Sequence, residues 1–362
     1  MVAEALNVAI DPHLIALPAP CNSVNDLEQF VESILAWAEA LEREDIKVLI
    51  DQGCVDALYE DDFYPYDYKL RSLLNSYTVD GEPIADEDTV SQVVTRLLNQ
   101  TPYLEEFINI SDVLHEESKT SIEPDDFLNR LGFKTSQALQ RSLIMLGLWH
   151  QHSRTLAEFG GCVFAAGSDT NVKHHLEITV TTEVTFVEPY DCNCLPSYQF
   201  PSLVDESFHI CFGHVDVLQQ VGCSSLWGNA NSEQSAMDAI QLRVEELIQE
   251  GTTDARAVRT FRLGSKFLES ARHWGFTSSG SAMILIDSCA RIVIGMPKKN
   301  LKPFRISKNS TEQRVRSSDQ ALAWRNHLTK GGPGFRLMYW ETSGGEIEFA
   351  NVGDKDELII YE

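Results

Sequence analysis

Between Arg291 and Arg316 the chain sets Arg291, Lys298, Lys299, Lys302, Arg305, Lys308, Arg314 and Arg316 against one carboxylate, Glu312. A solvated surface normally mixes both signs, so a run of one sign predicts a face that meets a polyanion. Cations at this density neutralise phosphates. Lys298, Lys299, Lys302, Arg305, Lys308, Arg314 and Arg316 are therefore the residues expected to hold RNA. DNA, or the protein's own acidic residues, fit the same face. A little downstream, His327 reads either as an acid–base group or as an ordinary surface histidine.

A second set of reactive side chains is Cys192, Cys194, His209, Cys211, His214 and Cys223. Zinc takes four Cys or His ligands, and enough are present. The spacing argues against it, because C-x-C and H-x-C place neighbours along one strand face instead of at a knuckle. Reduced cysteines packed as small hydrophobes fit better, and no cofactor is expected. Gly167-Ser168 ahead of Glu177 and Glu183 resembles the Gly-Ser and acidic pair of nucleotidyltransferases, but the acidic spacing does not suit a metal pair on one strand. Neither a phosphate loop of the Gly-x-x-x-x-Gly-Lys type nor a Gly-x-Ser-x-Gly elbow occurs.

The elements that position the basic run are legible in hydrophobic spacing. Leu322, Trp324 and Leu328, then Phe335, Leu337 and Tyr339, then Ile347, Phe349 and Val352 fall at mostly even intervals, the period of half-buried strands. Gly331, Gly332 and Gly334, and then Gly344-Gly345, mark hairpin loops. Phe267 to Trp274 and Met283 to Ile294 show helical spacing, and Pro297 stops the second run. The predicted order is a strand, two helices, and four antiparallel strands in a meander.

That order, with Arg336-Leu337-Met338-Tyr339 opening a strand and a terminal Gly353-Asp354-Lys355... Tyr361, resembles the RelE/ParE/YoeB superfamily of bacterial toxins over roughly the last hundred residues. The resemblance implies two helices packed on an antiparallel sheet. Many members of the superfamily cut mRNA at the ribosome, while the ParE branch acts on gyrase. By the same resemblance Arg325, Arg336 and Tyr361 are the catalytic residues of a metal-independent endoribonuclease, and Lys302 and Arg305 lie on the strand that supplies basic residues. Such cleavage requires activating a ribose 2′-hydroxyl, stabilising a charged phosphorane and protonating the leaving oxygen. Guanidinium forks suit the second task, although Arg325 and Arg336 fit equally as ion-pair partners. The tail departs from the family: Asp354, Asp356 and Glu357 stand where cations are expected. Carboxylates beside a scissile phosphate repel it, unless Glu357 serves as a base, so a module with the fold and without cleavage is the alternative.

The rest of the chain reads as an acidic body. Its 362 residues suffice for two or three domains, and 43% hydrophobic with 23% charged residues is the composition of a folded protein. No apolar run is long enough to span a bilayer and the first residues do not look like a leader, which predicts a cytoplasmic protein without membrane contact. Residues 256–362 hold 17 Lys+Arg and 11 Asp+Glu, whereas residues 1–255 hold 12 and 43. An irregular arm over 1–20, a capped helix from Ser23, and helical spacing over Asp86–Leu114 predict a helical acidic domain, 1–154. Residues 59–69 are acidic and aromatic, read as a loop anchor or a stacking surface. Phe127 to Leu146 read as a helix–turn–helix pair with too few cations for DNA. Alternation over 175–190, a strand over 207–221 and a helix over 232–250 predict a middle α/β domain, 155–255, before the RelE-like module, 256–362. The expected function is a toxin-like effector acting on RNA, restrained by its acidic body. The alternative is a non-catalytic subunit binding nucleic acid or protein in a larger assembly, such as an anti-phage defence complex.

Overall fold

The computed structural model describes residues 6–18, 23–79, 82–130, 132–152, 161–165, 176–191, 198–230, 232–251, 258–307, 310–329 and 334–362. It places them in two compact units, 2–220 and 221–362, each mixing helices and strands. Among the described residues no helix is long and apolar enough to cross a membrane.

The first unit is built on a seven-stranded sheet. Its strands are β1 (Leu6–Ile10), β2 (Ile46–Leu49), β5 (Asp112–His115), β6 (Ser121–Glu123), β7 (Gly161–Phe164), β8 (Glu177–Glu188) and β9 (Ser202–Cys211). A separate hairpin is formed by β3 (Thr78–Val79) and β4 (Glu82–Pro83). The sheet runs β2-β1-β7-β9-β8-β5, with β6 also on β8. The pairs β2–β1, β1–β7 and β7–β9 are parallel, and β8 is antiparallel to its neighbours. Ala9, Leu49 and Val163 join the core around Leu139, Leu143 and Leu146 of a long helix, Phe133–His152. Their chain neighbours Val8, Val48 and Cys162 are equally buried and point to the other face. Both faces of the parallel half are thus covered, and its strands lack alternation.

Helices of this unit are α1 (Val24–Leu41), α2 (Gln52–Glu60), α3 (Asp67–Asn75), α4 (Glu87–Gln100), α5 (Leu104–Ile108), α6 (Phe133–His152) and α7 (His214–Val221). Ser23 and Asp26 close the expected capping box on α1, whose Leu27, Phe30, Ile34 and Trp37 are buried. Several expectations give way. Residues 6–10, expected in an irregular arm, are an interior strand; the segment 207–221 is strand only to Cys211 and then turns into α7. The expected helix–turn–helix is a short 3-10 segment, Asp125–Arg130, leading into α6. Arg130 pairs with buried Asp11 at 2.6 Å and Arg141 with buried Asp51 at 3.0 Å, so both are committed to the interior. In the acidic aromatic stretch Tyr59 and Tyr64 stack at 3.7 Å and Tyr66 closes on Tyr64 at 5.1 Å. The helical domain and the middle domain expected from sequence share one sheet, because β7, β8 and β9 complete the sheet that β1 and β2 begin.

The second unit adds α8 (Cys223–Asn229), α9 (Glu233–Gln249), α10 (Phe267–His273) and α11 (Ser279–Val293). Its sheet comprises β10 (Phe261–Leu263), β11 (Lys302–Pro303), β12 (Leu322–His327), β13 (Arg336–Glu341) and β14 (Ile347–Gly353), ordered β10-β14-β13-β12-β11. β11 to β14 form the antiparallel meander read from the sequence, and β10 runs parallel to β14. One sheet face packs on the helices through Tyr339, Phe349, Phe267 and Trp227, whose rings follow one another at 5.7–6.2 Å. The opposite face holds a small core of Phe304, Ala323, Met338, Trp340 and Ala350, closed by Ile360 of the tail. The unit begins near Val221 and not near 256, because α8 and α9 pack with α11. Including them brings the unit to 18 Lys+Arg against 17 Asp+Glu, so its basicity is local to one region.

Candidate nucleic-acid interface

Strand register assembles that region. In the β12–β13 ladder Arg325 lies opposite Met338 and His327 opposite Arg336; in β11–β12, Lys302 lies opposite Arg325. Side chains alternate along a strand, so Ala323, Arg325 and His327 share a face with Arg336, Met338 and Trp340. The end of this face near Trp340 is the small core under the tail. Its other end presents Lys302, Arg325, His327 and Arg336 together. Lys302 is exposed, as is Arg305 just beyond it, while Arg325, His327 and Arg336 are half-buried.

The electrostatics of this patch are one-sided. Burial lowers the Arg325 pKa from its ordinary value, and the charges that add to the effect are Arg336 and Arg305. Burial likewise lowers His327 from 6.5, and Arg336, Lys302, Lys299 and Arg325 push it the same way. The Nε atoms of Arg325 and Arg336 are buried and have no hydrogen-bond partner. Buried polar groups are ordinarily paired, and a half-buried guanidinium ordinarily faces a carboxylate. Here the chain gathers cations, and among the described residues no salt bridge pairs Arg325 or Arg336 with a carboxylate, although Glu357 lies over Gly353 opposite Arg336; an external anion relieves such an arrangement.

The other expected residues divide. Lys299 Nζ donates to the carbonyls of His327 and Leu328 at 2.7 and 3.0 Å, which fixes it at the patch edge. Lys298 pairs with Asp287 at 2.7 Å on an exposed side chain. Arg314 is half-buried beside β12. Arg316 is turned inward: only 5% exposed, it binds Glu348 at 2.9 Å and Asp319 at 2.6 Å and lies over the Trp340 ring. It is a structural ion-pair residue, not part of the open face. Those bonds hold the Asp319 carboxyl down at about 2. Lys308 lies outside the described residues, as do Cys192, Cys194 and the Gly167-Ser168 pair.

Tyr361 does not join the two arginines. Its carbonyl accepts from Trp340 Nε1 at 2.7 Å, its N–H donates to Asn351 Oδ1, and it stands within reach of Lys266 at the start of α10. Glu357 lies over Gly353, where an added Cβ would meet its Cγ at 2.6 Å, and its Oε1 accepts from the Ile359 N–H. Among the described residues no ion pair joins Glu357 to Arg336. In the first unit His209 pairs with Glu177, and Cys211 is buried beside Cys162, which raises its pKa. No protein-family model, no curated protein and no solved structure matches this chain.

His327 gains most from the structure. Spacing alone left it ambiguous, whereas the ladder puts it among four cations. Asp287, not singled out in the sequence, anchors Lys298, Arg291 and Arg243. Its signal was a carboxylate at an inward position of the apolar α11.

Proposed function

We propose that the second unit binds a phosphodiester strand, RNA, across the β11–β12–β13 face. The observation that carries this reading is the pair Arg325 and Arg336, brought onto one face with Lys302 and His327, whose buried Nε atoms lack hydrogen-bond partners and which form no salt bridge among the described residues. Phosphate oxygens accept from guanidinium forks as carboxylates do. The resemblance to RelE-like toxins supports RNA as the strand. Binding, as the non-catalytic subunit of a larger assembly, accounts for the geometry better than cleavage. The residue expected as the third catalytic group, Tyr361, is held at the Trp340 end, and Glu357 is occupied in the tail turn. Among the described residues of this face, His327 is the group suited to act as a base, its pKa lowered by burial and its cationic neighbours.

The test is titration of single-stranded RNA into the full-length chain at several salt concentrations, with an Arg325→Ala/Arg336→Ala double variant. Tight, salt-dependent binding by the native chain and its loss in the variant is expected. Equal binding by both proteins, or none at low salt, refutes the reading. Incubation with RNA in the same assay detects strand scission directly.

A further inference from the structure

Beside the cation face, between α11 and the end of β12, opens a cleft of about 440 Å³. That size is within the range of small-molecule sites. Its rim is cationic: Arg291 and Lys298 converge on the single carboxylate Asp287, and Lys299 is steered there by two carbonyls. Met283, Ile284 and Leu328 give it apolar walls, and Ile284 is 41% exposed.

Asn326 also lines the cleft. It is 3% exposed, and its Oδ1 is buried without a hydrogen-bond partner. An orphaned amide in a folded interior is costly unless something completes it. A carboxamide offers a donor and an acceptor side by side in one plane, the pattern that pairs with a nucleobase edge. A thioether and branched aliphatic walls suit the two faces of a flat ring. An amide, apolar walls and a phosphate-grade rim in one cleft match the three parts of a nucleotide.

We infer that this cleft takes a nucleoside 5′-monophosphate unit, with the base between Met283, Ile284 and Leu328, its edge on Asn326, and the phosphate on Lys298 and Arg291. His327 and Lys299 belong both to the cleft and to the cation face. The unit is therefore the terminal nucleotide of the strand lying on that face, a placement that rests on the RNA reading above. The pocket itself does not depend on it.

The experiment is calorimetric or NMR titration of the full-length protein with AMP, GMP, CMP and UMP, alongside inorganic phosphate and the free nucleosides. The expected result is saturable binding of at least one monophosphate, roughly tenfold or more tighter than phosphate alone. Asn326→Leu is expected to abolish base discrimination while leaving thermal stability equal or higher, because it removes an unpaired buried polar group. Lys298→Ala weakens every monophosphate alike. Binding no tighter than phosphate, or unchanged in Asn326→Leu, overturns the inference. If Asn326→Leu unfolds the chain, Ile284→Glu, on an exposed wall, gives the same reading: unaltered monophosphate binding overturns the inference. Loss of strand binding in Arg325→Ala/Arg336→Ala with monophosphate binding intact separates the two proposals, as does the converse.

Discussion

Arg336 stands directly across the β12–β13 ladder from His327, and Arg325 is the residue two positions before that histidine on the same face. A guanidinium opposite an imidazole, with a second guanidinium on the same face, is an unfavourable arrangement in isolation. The like charges are Arg325 and Arg336, diagonal neighbours across the ladder, and such a pair destabilises a sheet. The fold carries this cost with β12 and β13 otherwise well buried, through Ala323, Leu337 and Met338. The repulsion is thus concentrated at one place where a negative ligand reverses its sign.

Replacing Arg325 or Arg336 by Met keeps the aliphatic stem and removes the charge. Each variant is expected to unfold at the same temperature as the native chain or higher, since a repulsion is lost and no pair is broken. Each is expected to reduce the slope of log affinity for RNA against log salt by about one. Thermal melts and a salt series check both outcomes; a marked loss of stability instead indicates a structural role.

His327 predicts how binding responds to pH. In the free protein its pKa lies below the ordinary 6.5, by burial first and then by Arg336, Lys302, Lys299 and Arg325. Phosphates bound among these cations favour the imidazolium and raise that pKa. The complex therefore takes up a proton between the free and bound values, and affinity rises as pH falls through that window. Phosphodiesters do not titrate there, so the effect belongs to the protein. Without ligand the sign for stability is opposite: the unfolded chain takes the proton more readily, and His327 subtracts stability as pH falls below 6.5. Affinity that is flat with pH, or unchanged pH dependence in His327→Gln, contradicts this account.

The meander was readable because one face of each strand is apolar and the hairpins are glycine-marked, so Leu337, Tyr339 and Phe349 announced their period. β1 and β2 were not, because a parallel strand buried on both sides, as LNVAI and IKVL are, offers no alternation. The division into units was hidden for a related reason. The strands β7 to β9 are distant in sequence from β1, and parallel pairing leaves no hairpin to betray it. At the site, a run of cations in sequence did not distinguish Arg316, which turns to Glu348, from Lys302, which faces outward. Only the register of β11 and β12 and the position of Asp319 make that distinction.

Arg316→Ala is expected to cost stability and not specific binding. It removes the buried partner of Glu348, which is 6% exposed, and among the described residues leaves the two bonds from Arg262, at 2.6 and 3.0 Å. Breaking a buried pair typically costs 3–5 kcal/mol, and the remaining partner places this case at about 3 kcal/mol. Chemical denaturation measures the loss, while RNA affinity per folded molecule stays at the native value. A selective loss of affinity without destabilisation returns Arg316 to the binding face.

Tyr361 supplies the sharpest test between binding and cleavage. The tail is held by main-chain groups, Trp340 Nε1 to the Tyr361 carbonyl and Asn351 to Ile359 and Tyr361, with Ile360 filling the small core. The phenol itself is not needed for any of these contacts. Tyr361→Phe is therefore expected to leave stability and RNA affinity unchanged, whereas Ile360→Asp buries a charge against Trp340 and Met338 and destabilises the unit. If the chain cleaves RNA and Tyr361→Phe abolishes that cleavage at constant affinity, the tail must move its tyrosine to the arginines during the reaction. That result would make the held position a resting state and restore the tyrosine to the chemistry.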